Sequence, residues 1–188
     1  METDQQPNNK QKRSSLTIRK MEIDDLAAVF HMGEKLFTAR KVPNLYRTWD
    51  EYEVVSLFQT DPEFCLVAEM NDVLVGFALG TTISKTSSAW KYGHLYWLGV
   101  NPKAQRQGIA MKLLKHFQDL MLENGVRMLQ VDTEADNLPA LHFFRKMGFG
   151  NPQPHIYLTL NISELQRQLK EKKEEGRLKI RRLQVDDD

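Results

Sequence analysis

Residues 93–121 read GHLYWLGVNPKAQRQGIAMKLLKHFQDLM. Gly93 to Val100 is an apolar and aromatic run of strand length, which reads as a largely buried strand. Ile109, Leu113, Leu114, Phe117 and Met121 then recur at helical spacing, and Asn124-Gly125 supplies a C-cap. Between the two lies a polar loop, Asn101 to Gly108, and beyond the helix Met128 to Val131 reads as another short strand. Strand, helix and strand in this order make a βαβ unit, so the fold class is α/β.

The loop itself carries chemistry. A helix that starts after such a loop presents backbone N–H groups with no intrahelical partner, at the positive end of its dipole, and that combination attracts phosphate. Gly108 and Ala110 keep the main chain approachable, because large side chains there would stand between the amides and an anion. The pattern is neither GxxxxGK[ST] nor GxGxxG, which turns the reading away from nucleoside triphosphates and dinucleotides.

Upstream, Phe64 to Ile83 reads as two strands, FCLVAEM and VLVGFALGTTI, joined by a tight turn at Asn71-Asp72. Leu16 and Ile18 alternate as in a strand. Asp24 or Asp25 then caps a helix carrying Leu26, Val29, Phe30 and Leu36. Pro43 interrupts, and Thr48 or Asp50 starts a second helix with Tyr52, Val55 and Leu57-Phe58 facing inward, ended by Asp61-Pro62. Ser84 to Ala89 is a polar loop. Downstream, Pro139 to Lys146 reads as a helix and Ile156 to Ile162 as a final strand. The opening half of the sheet is therefore antiparallel, and residues 16–162 form one domain.

The flanks are different material. Residues 1–15 hold almost nothing that could be buried and read as a disordered tail. Residues 163–188 read as a charged helix and tail: Ser163 and Gln166 form a capping box, Leu165 and Leu169 are the apolar anchors, and Gly176 stops the helix. Arg177 to Val185 alternates like a strand, open to use as a sheet edge, a homodimer contact or a basic arm.

Composition bounds the function. At 188 residues the chain suits one core, given domains of about 100 to 150 residues. A formal net charge of +1 removes the field of a dedicated nucleic-acid binder. The absence of a run of about 20 apolar residues, and of an apolar stretch near the start, points to a soluble, cytoplasmic chain without a membrane partner. Cys65, the single cysteine, lies in an apolar strand and reads as core filler in a reducing setting. His116 and His155 have no partners at metal-ligand spacing, so no metal is expected.

A second segment sharpens the reading: Asn137-Leu138-Pro139-Ala140, followed by Leu141 to Met147 and Gly148-Phe149. Taken together, Gln105-x-x-Gly108-x-Ala110 and Asn137-x-x-Ala140 through Gly148-Phe149 resemble the pyrophosphate loop and the N-x-x-A…GF segment of the GNAT superfamily of N-acetyltransferases, over about residues 16 to 162. The resemblance implies a mostly antiparallel central sheet flanked by helices, and acetyl-CoA as cosubstrate. It implies that the amides of Gln105, Arg106, Gln107, Gly108, Ile109 and Ala110 hold the pyrophosphate. The main chain of Leu98 and Val100 would pair with the pantetheine arm as another strand would, and Asn137 would bind the arm from the far side. The implied activity is direct attack of an amine, on a small molecule or a protein or peptide, upon the thioester in a ternary complex.

One departure matters. Many members place a tyrosine hydroxyl near the cofactor sulfur as general acid, and here Phe144 stands at that position. Water, the hydroxyl of Tyr96 or Tyr157, or no acid at all would serve instead. The base belongs where the central strands splay, and the candidates are Glu134 first, then His94, with Tyr96 and Asp132 beside them. His142 reads as a surface or packing residue. Tyr46, Trp49, Asp50, Glu51, Tyr52 and Glu53 fall where the family covers the acceptor entrance; they suit a cationic amine or simply the start of a helix. Two other functions compete: a non-catalytic acyl-CoA sensor, for which Phe144 speaks, and nucleic-acid binding by the basic tails, against which the net charge speaks.

Overall fold

The N-terminal elements are built around Arg19. The computed structural model describes residues 15–38, 48–84, 90–156 and 158–185, with side chains through 175. Strand β1, Leu16–Lys20, carries the Arg19 guanidinium against Asp25, with Nη1 to Oδ2 at 2.6 Å and Nη2 to Oδ1 at 2.9 Å. Nη2 also reaches Glu69 Oε1 at 2.5 Å. Asp25 precedes helix α1, Leu26–Leu36, but does not cap it through its side chain; its carboxylate instead accepts from Glu22 N at 2.8 Å, fixing the turn into the helix.

Helix α2, Glu51–Thr60, starts on Asp50, whose carboxylate accepts from Glu53 N at 2.8 Å. That cap sets the helix phase so that Val54 and Leu57 are buried, while Tyr52 and Val55, expected inward, are exposed. The adjacent pairs Val54-Val55 and Leu57-Phe58 leave two phases of a short helix nearly equivalent by pattern, and the packing partner decides between them.

The hairpin of β2, Cys65–Met70, and β3, Val73–Ser84, forms as expected. Asn71 and Asp72 take φ of 51° and 63°, the two positive values a tight twisted turn requires. Strand β4, Lys91–Val100, continues the sheet, helix α3, Ile109–Glu123, crosses one face, and β5, Val126–Val131, returns parallel to β4. The order is β1-β2-β3-β4-β5, antiparallel up to β4.

The sheet divides the core in two. On one face Leu66, Ala68, Val75, Ala78 and Leu95 meet Ile109, Leu113, Leu114, Phe117 and Met121 of α3. On the other, Cys65, Val67, Phe77, Leu79 and Trp97 meet Val29 of α1 with Val54 and Leu57 of α2. Burying each such aliphatic or aromatic side chain contributes about 1.5–3 kcal/mol. The β3–β4 register shifts between Leu79, opposite Trp97, and Gly80, opposite Leu95. Tyr96 is the extra residue of this bulge, so Leu95 packs with the α3 cluster and both Tyr96 and Trp97 with the opposite one.

Helix α4, Leu138–Lys146, follows β5, and a first compact unit ends at Gly150. The second unit, from Asn151, contains helix α5, Ile162–Val185. No strand forms among the described residues of 156–162, and Ile156, Leu158 and Leu160 are exposed. Alternation marks a segment as able to pair; it does not supply the neighbour that pairing needs. Helix α5 takes its cap from Asn161, whose Oδ1 accepts from Glu164 N at 3.1 Å, and not from Ser163. It also runs through Gly176 to Val185 in place of a stop and a strand. One interior glycine costs about 1 kcal/mol, which flanking Glu, Lys, Arg, Leu and Gln residues, all good helix formers, offset. The expected tail, residues 1–15, lies outside the described residues apart from Ser15, and the loop expected at 84–89 lies outside them apart from Ser84.

Two outcomes follow from this packing. Cys65 is fully buried, and burial pushes its thiol up to about 12. A maleimide at pH 8 should leave the native protein unlabelled and modify it fully after denaturation; rapid native labelling would contradict the placement. The Arg19 guanidinium holds the Asp25 carboxyl below the usual carboxylate range. A lowered folded-state pKa contributes stability that is present above the unfolded value of about 4 and lost as pH falls below it. Asp25→Asn should therefore lower Tm at pH 7, with the gap to the native protein closing below about pH 4; a gap independent of pH would show that the ion pair is not its source.

Candidate active site

Helix α3 opens on Gly108, at φ 77°. A Cβ added there would meet nothing within 4 Å, so the position needs glycine for its left-handed backbone and not for lack of space. Arg106 is also left-handed, at φ 62°. A left-handed residue followed by the first right-handed residue of a helix aims successive N–H groups into one concavity, an arrangement that binds anions. The first helical bond of α3 runs from Lys112 N to Gly108 O at 3.0 Å, which leaves the N–H groups of Ile109, Ala110 and Met111 without a partner inside the helix.

The loop is held from below. Asn101 N donates to Val75 O at 2.8 Å, ending β4, and Asn101 Oδ1 accepts from Lys103 N at 3.0 Å to start a 3-10 turn over Pro102–Ala104. Gln105 Nε2 folds back onto Val100 O at 3.3 Å. A cleft of about 320 Å³ results, lined by Val100, Ala104, Gln105, Arg106, Gly108, Ile109, Ala110, Met111 and Phe143. Gln107, Leu98, Asn137 and Phe144 are not part of that lining. Phe143, one residue from the expected Phe144, forms the α4 wall, a detail of helical phase that the motif alone leaves open.

Beside the cleft β4 and β5 part. Their parallel register runs from Lys91 opposite Val126 to Leu95 opposite Val131 and stops there, whereas β4 stays paired with β3 as far as Val100 opposite Gly76. From Tyr96 to Val100 the second edge of β4 therefore has no strand beside it among the described residues. Leu98 and Val100 sit on this stretch with their side chains half-buried against the α3 cluster.

Helix α4 is capped at both ends by the residues of its motif. Asn137 Oδ1 accepts from Ala140 N at 3.3 Å, and Asn137 Nδ2 donates to Thr133 Oγ1 at 3.0 Å. At the other end Gly148 takes φ 94°, Phe149 N donates to Phe144 O at 3.0 Å and Gly148 N to Arg145 O at 3.1 Å. That pair of bonds, with the Phe144 and Phe149 rings 5.5 Å apart, is a Schellman cap with its apolar contact. The Asn-x-x-Ala and Gly-Phe pairs thus define where this helix begins and ends. Phe144 packs between Phe143 and Phe149.

The base candidates separate. His94 and Tyr96 lie where the strands part, with rings stacked at 4.4 Å and 25°. His94 Nε2 lies 2.8 Å from Asp132 Oδ1, a contact between residues 38 apart in sequence that parallel pairing creates and no local signal announces. Glu134 sits in the following loop, half-buried, its carbonyl accepting from Asn137 N at 3.0 Å. His142 is exposed, and Tyr157 lies outside the described residues.

The acidic and aromatic segment is mostly structural. Trp49 donates to Phe30 O at 3.0 Å and packs its ring within 5.1–5.3 Å of Phe37, Phe77 and Trp97. Glu53 accepts from the Trp97 indole at 3.1 Å, and Asp50 caps α2. Glu51 and Tyr52 remain exposed, while Tyr46 lies outside the described residues.

The sequence profile of the acetyltransferase (GNAT) family matches residues 31–149. An acetyltransferase of Pectobacterium atrosepticum is 26% identical over 136 residues, 71% of this chain and 87% of that protein. Among solved structures, an aminoglycoside acetyltransferase from a soil metagenome, in complex with trehalose, superposes with a TM-score of 0.62 at 22% identity, covering 78% of this chain and 97% of that one. An aminoglycoside N-acetyltransferase in complex with CoA gives 0.61 at 19% identity, covering 79% and 96%. These superpositions are likenesses of fold; the profile match, which runs from α1 through the glycine loop to the end of the capped helix, carries the conclusion that the chain belongs to the GNAT family of acetyltransferases.

Proposed function

We propose that this protein transfers an acetyl group from acetyl-CoA to an amine, on a small molecule or on a protein or peptide, by direct attack in a ternary complex. The observation that carries the reading is the left-handed Gly108 opening α3 at the mouth of the cleft, next to a β4 edge that no strand covers among the described residues. The two features suit a ligand with a diphosphate at one end and an amide-bearing arm at the other. The N–H groups of Ile109, Ala110 and Met111 would hold the diphosphate, with the main chain of Gln105 to Gly108 around it. The part of β4 beyond its last pairing with β5, with Leu98 and Val100 at its end, would take the arm as an added strand. Asn137, whose carboxamide caps α4, would bind the arm from the far side.

The cosubstrate supplies the acetyl group as a thioester, already activated toward a nitrogen nucleophile. The protein then has to take a proton from an ammonium and exclude competing water. His94 suits the first task better than Glu134, because it stands at the parting of β4 and β5 with its ring held on two sides. Phe144, packed between two phenylalanines, brings no hydroxyl to the sulfur, and a thiolate is a tolerable leaving group without one. The same feature favours a second reading, an acyl-CoA sensor without turnover, which shares the binding step and lacks the product.

Calorimetric titration with acetyl-CoA should give one site per chain, and ligand at a hundredfold excess over Kd should stabilise the fold by about 2.7 kcal/mol. Gly108→Glu should abolish binding by placing a carboxylate against the phosphates, whereas Gly108→Asn, neutral and tolerant of the left-handed region, should retain most of it. Absence of saturable binding, or binding indifferent to Gly108→Glu, would sink the assignment. With an accepted amine, His94→Ala should lower kcat about 100-fold, and Glu134→Gln less than about threefold; the reverse order would make Glu134 the base, and binding without product from any amine would favour the sensor.

A further inference from the structure

We propose that Asp132 is a positioning residue that fixes the protonation pattern of His94. The inference rests on the assignment of His94 as the base. Asp132 is the first residue after β5, and the parallel register that sets His94 opposite Gln130 and Leu95 opposite Val131 brings its carboxylate to the imidazole. Oδ1 lies 2.8 Å from His94 Nε2. A carboxylate only accepts, so Nε2 carries the hydrogen, and in a neutral ring Nδ1 is then the bare nitrogen. Nδ1 has no hydrogen-bond partner among the described residues. Tyr96, on the same side of β4, stacks on the ring and fixes its plane. The His94 side chain is 17% exposed and that of Asp132 is 39% exposed, so the pair is shielded on the imidazole side and open to water on the carboxylate side.

The chemistry is a single balanced proton transfer. An N–H bond of the incoming ammonium breaks, Nδ1–H forms, and the positive charge moves from the substrate nitrogen to an imidazolium whose other N–H already faces a carboxylate. The substrate nitrogen is left with its lone pair, and the proton on Nδ1 leaves to water after turnover. With the opposite tautomer, Nδ1 would carry a hydrogen and point a donor at an ammonium that is itself a donor. Asp132 acts by excluding that arrangement, without touching the substrate.

The test begins on the full chain without ligand. Long-range proton–nitrogen correlation spectra of the 15N-labelled protein should show neutral His94 protonated at Nε2 and bare at Nδ1. In Asp132→Asn, which keeps the shape but offers an N–H toward the ring, that pattern should become mixed or invert. With acetyl-CoA and an accepted amine, kcat of Asp132→Asn should fall about 100-fold, with the amine KM changed less than about threefold and part of kcat restored in Asp132→Glu. Because acting as a unit makes losses non-additive, the His94→Ala/Asp132→Asn double variant should be no slower than His94→Ala alone. A native His94 protonated at Nδ1, or a pattern unmoved by Asp132→Asn, would overturn the proposal. So would a kcat loss that adds fully to that of His94→Ala. The tautomer is read without cosubstrate, so its outcome is separable from a failure of acetyl-CoA to bind.

Discussion

The parallel contact between β4 and β5 holds up to Leu95 and Val131 and then gives way, and the site depends on where it stops. A parallel neighbour cannot be reached by a hairpin, so the chain must cross the sheet in α3 before β5 can form. The crossing is anchored by Ile109, Leu113, Leu114, Phe117 and Met121, which pack on Leu66, Ala78 and Leu95. These contacts fix the start of α3 close to the end of β4, so the amides at Ile109 and Ala110, without helical partners, and the part of β4 beyond its last pairing with β5 fall side by side. Neither feature needs a charged side chain. In a chain of net charge +1 the proposed anion site would rest on main-chain donors whose direction is set by the Gly108 backbone.

What was legible in the sequence was local. Asn71-Asp72 reads as a tight turn because two left-handed residues in succession are a short-range requirement, and both are left-handed. Ile109 reads as the start of a helix because Leu113, Leu114, Phe117 and Met121 follow it at helical spacing, and α3 does start there; the left-handed backbone of Gly108 is what the structure adds. The Asn137-x-x-Ala140 and Gly148-Phe149 pairs are recognisable as a motif because each is local; that they cap the two ends of α4 is what the structure adds. Cys65 falls in the core because its neighbours do. Each inference spans a distance shorter than one turn of helix or one hairpin.

What was not legible depends on partners distant in sequence. Val54 and not Val55 faces the core because α2 meets a sheet surface that its own pattern cannot describe. Trp49, at a position suited to a substrate entrance, is held by the Phe30 carbonyl and three aromatic rings from α1, β3 and the following bulged strand or their flanks. Residues 156–162 alternate as a strand should, yet alternation carries no information about a neighbour. Helix α5 continues through Gly176 because local helix propensity on either side outweighs one glycine. The contact of His94 with Asp132 joins two strands at a register that only the crossover helix determines.

The bulge at Tyr96 ties these levels together. With strict alternation along β4, a residue two positions from Leu95 would share its face, and Trp97 would point at α3. The extra residue instead lets Leu95 stay with α3 while Trp97 enters the opposite cluster, where Glu53 accepts its indole hydrogen and Phe37 and Trp49 surround it. Leu98 and Val100 return to the α3 side beyond it. His94 and Tyr96, both outside the α3 cluster, come into register as a stacked pair just before the strands part. A bulge one residue earlier or later would break either the Trp97 packing or the His94–Tyr96 stack, so one irregularity sets both the aromatic core under α1 and α2 and the orientation of the ring that faces Asp132.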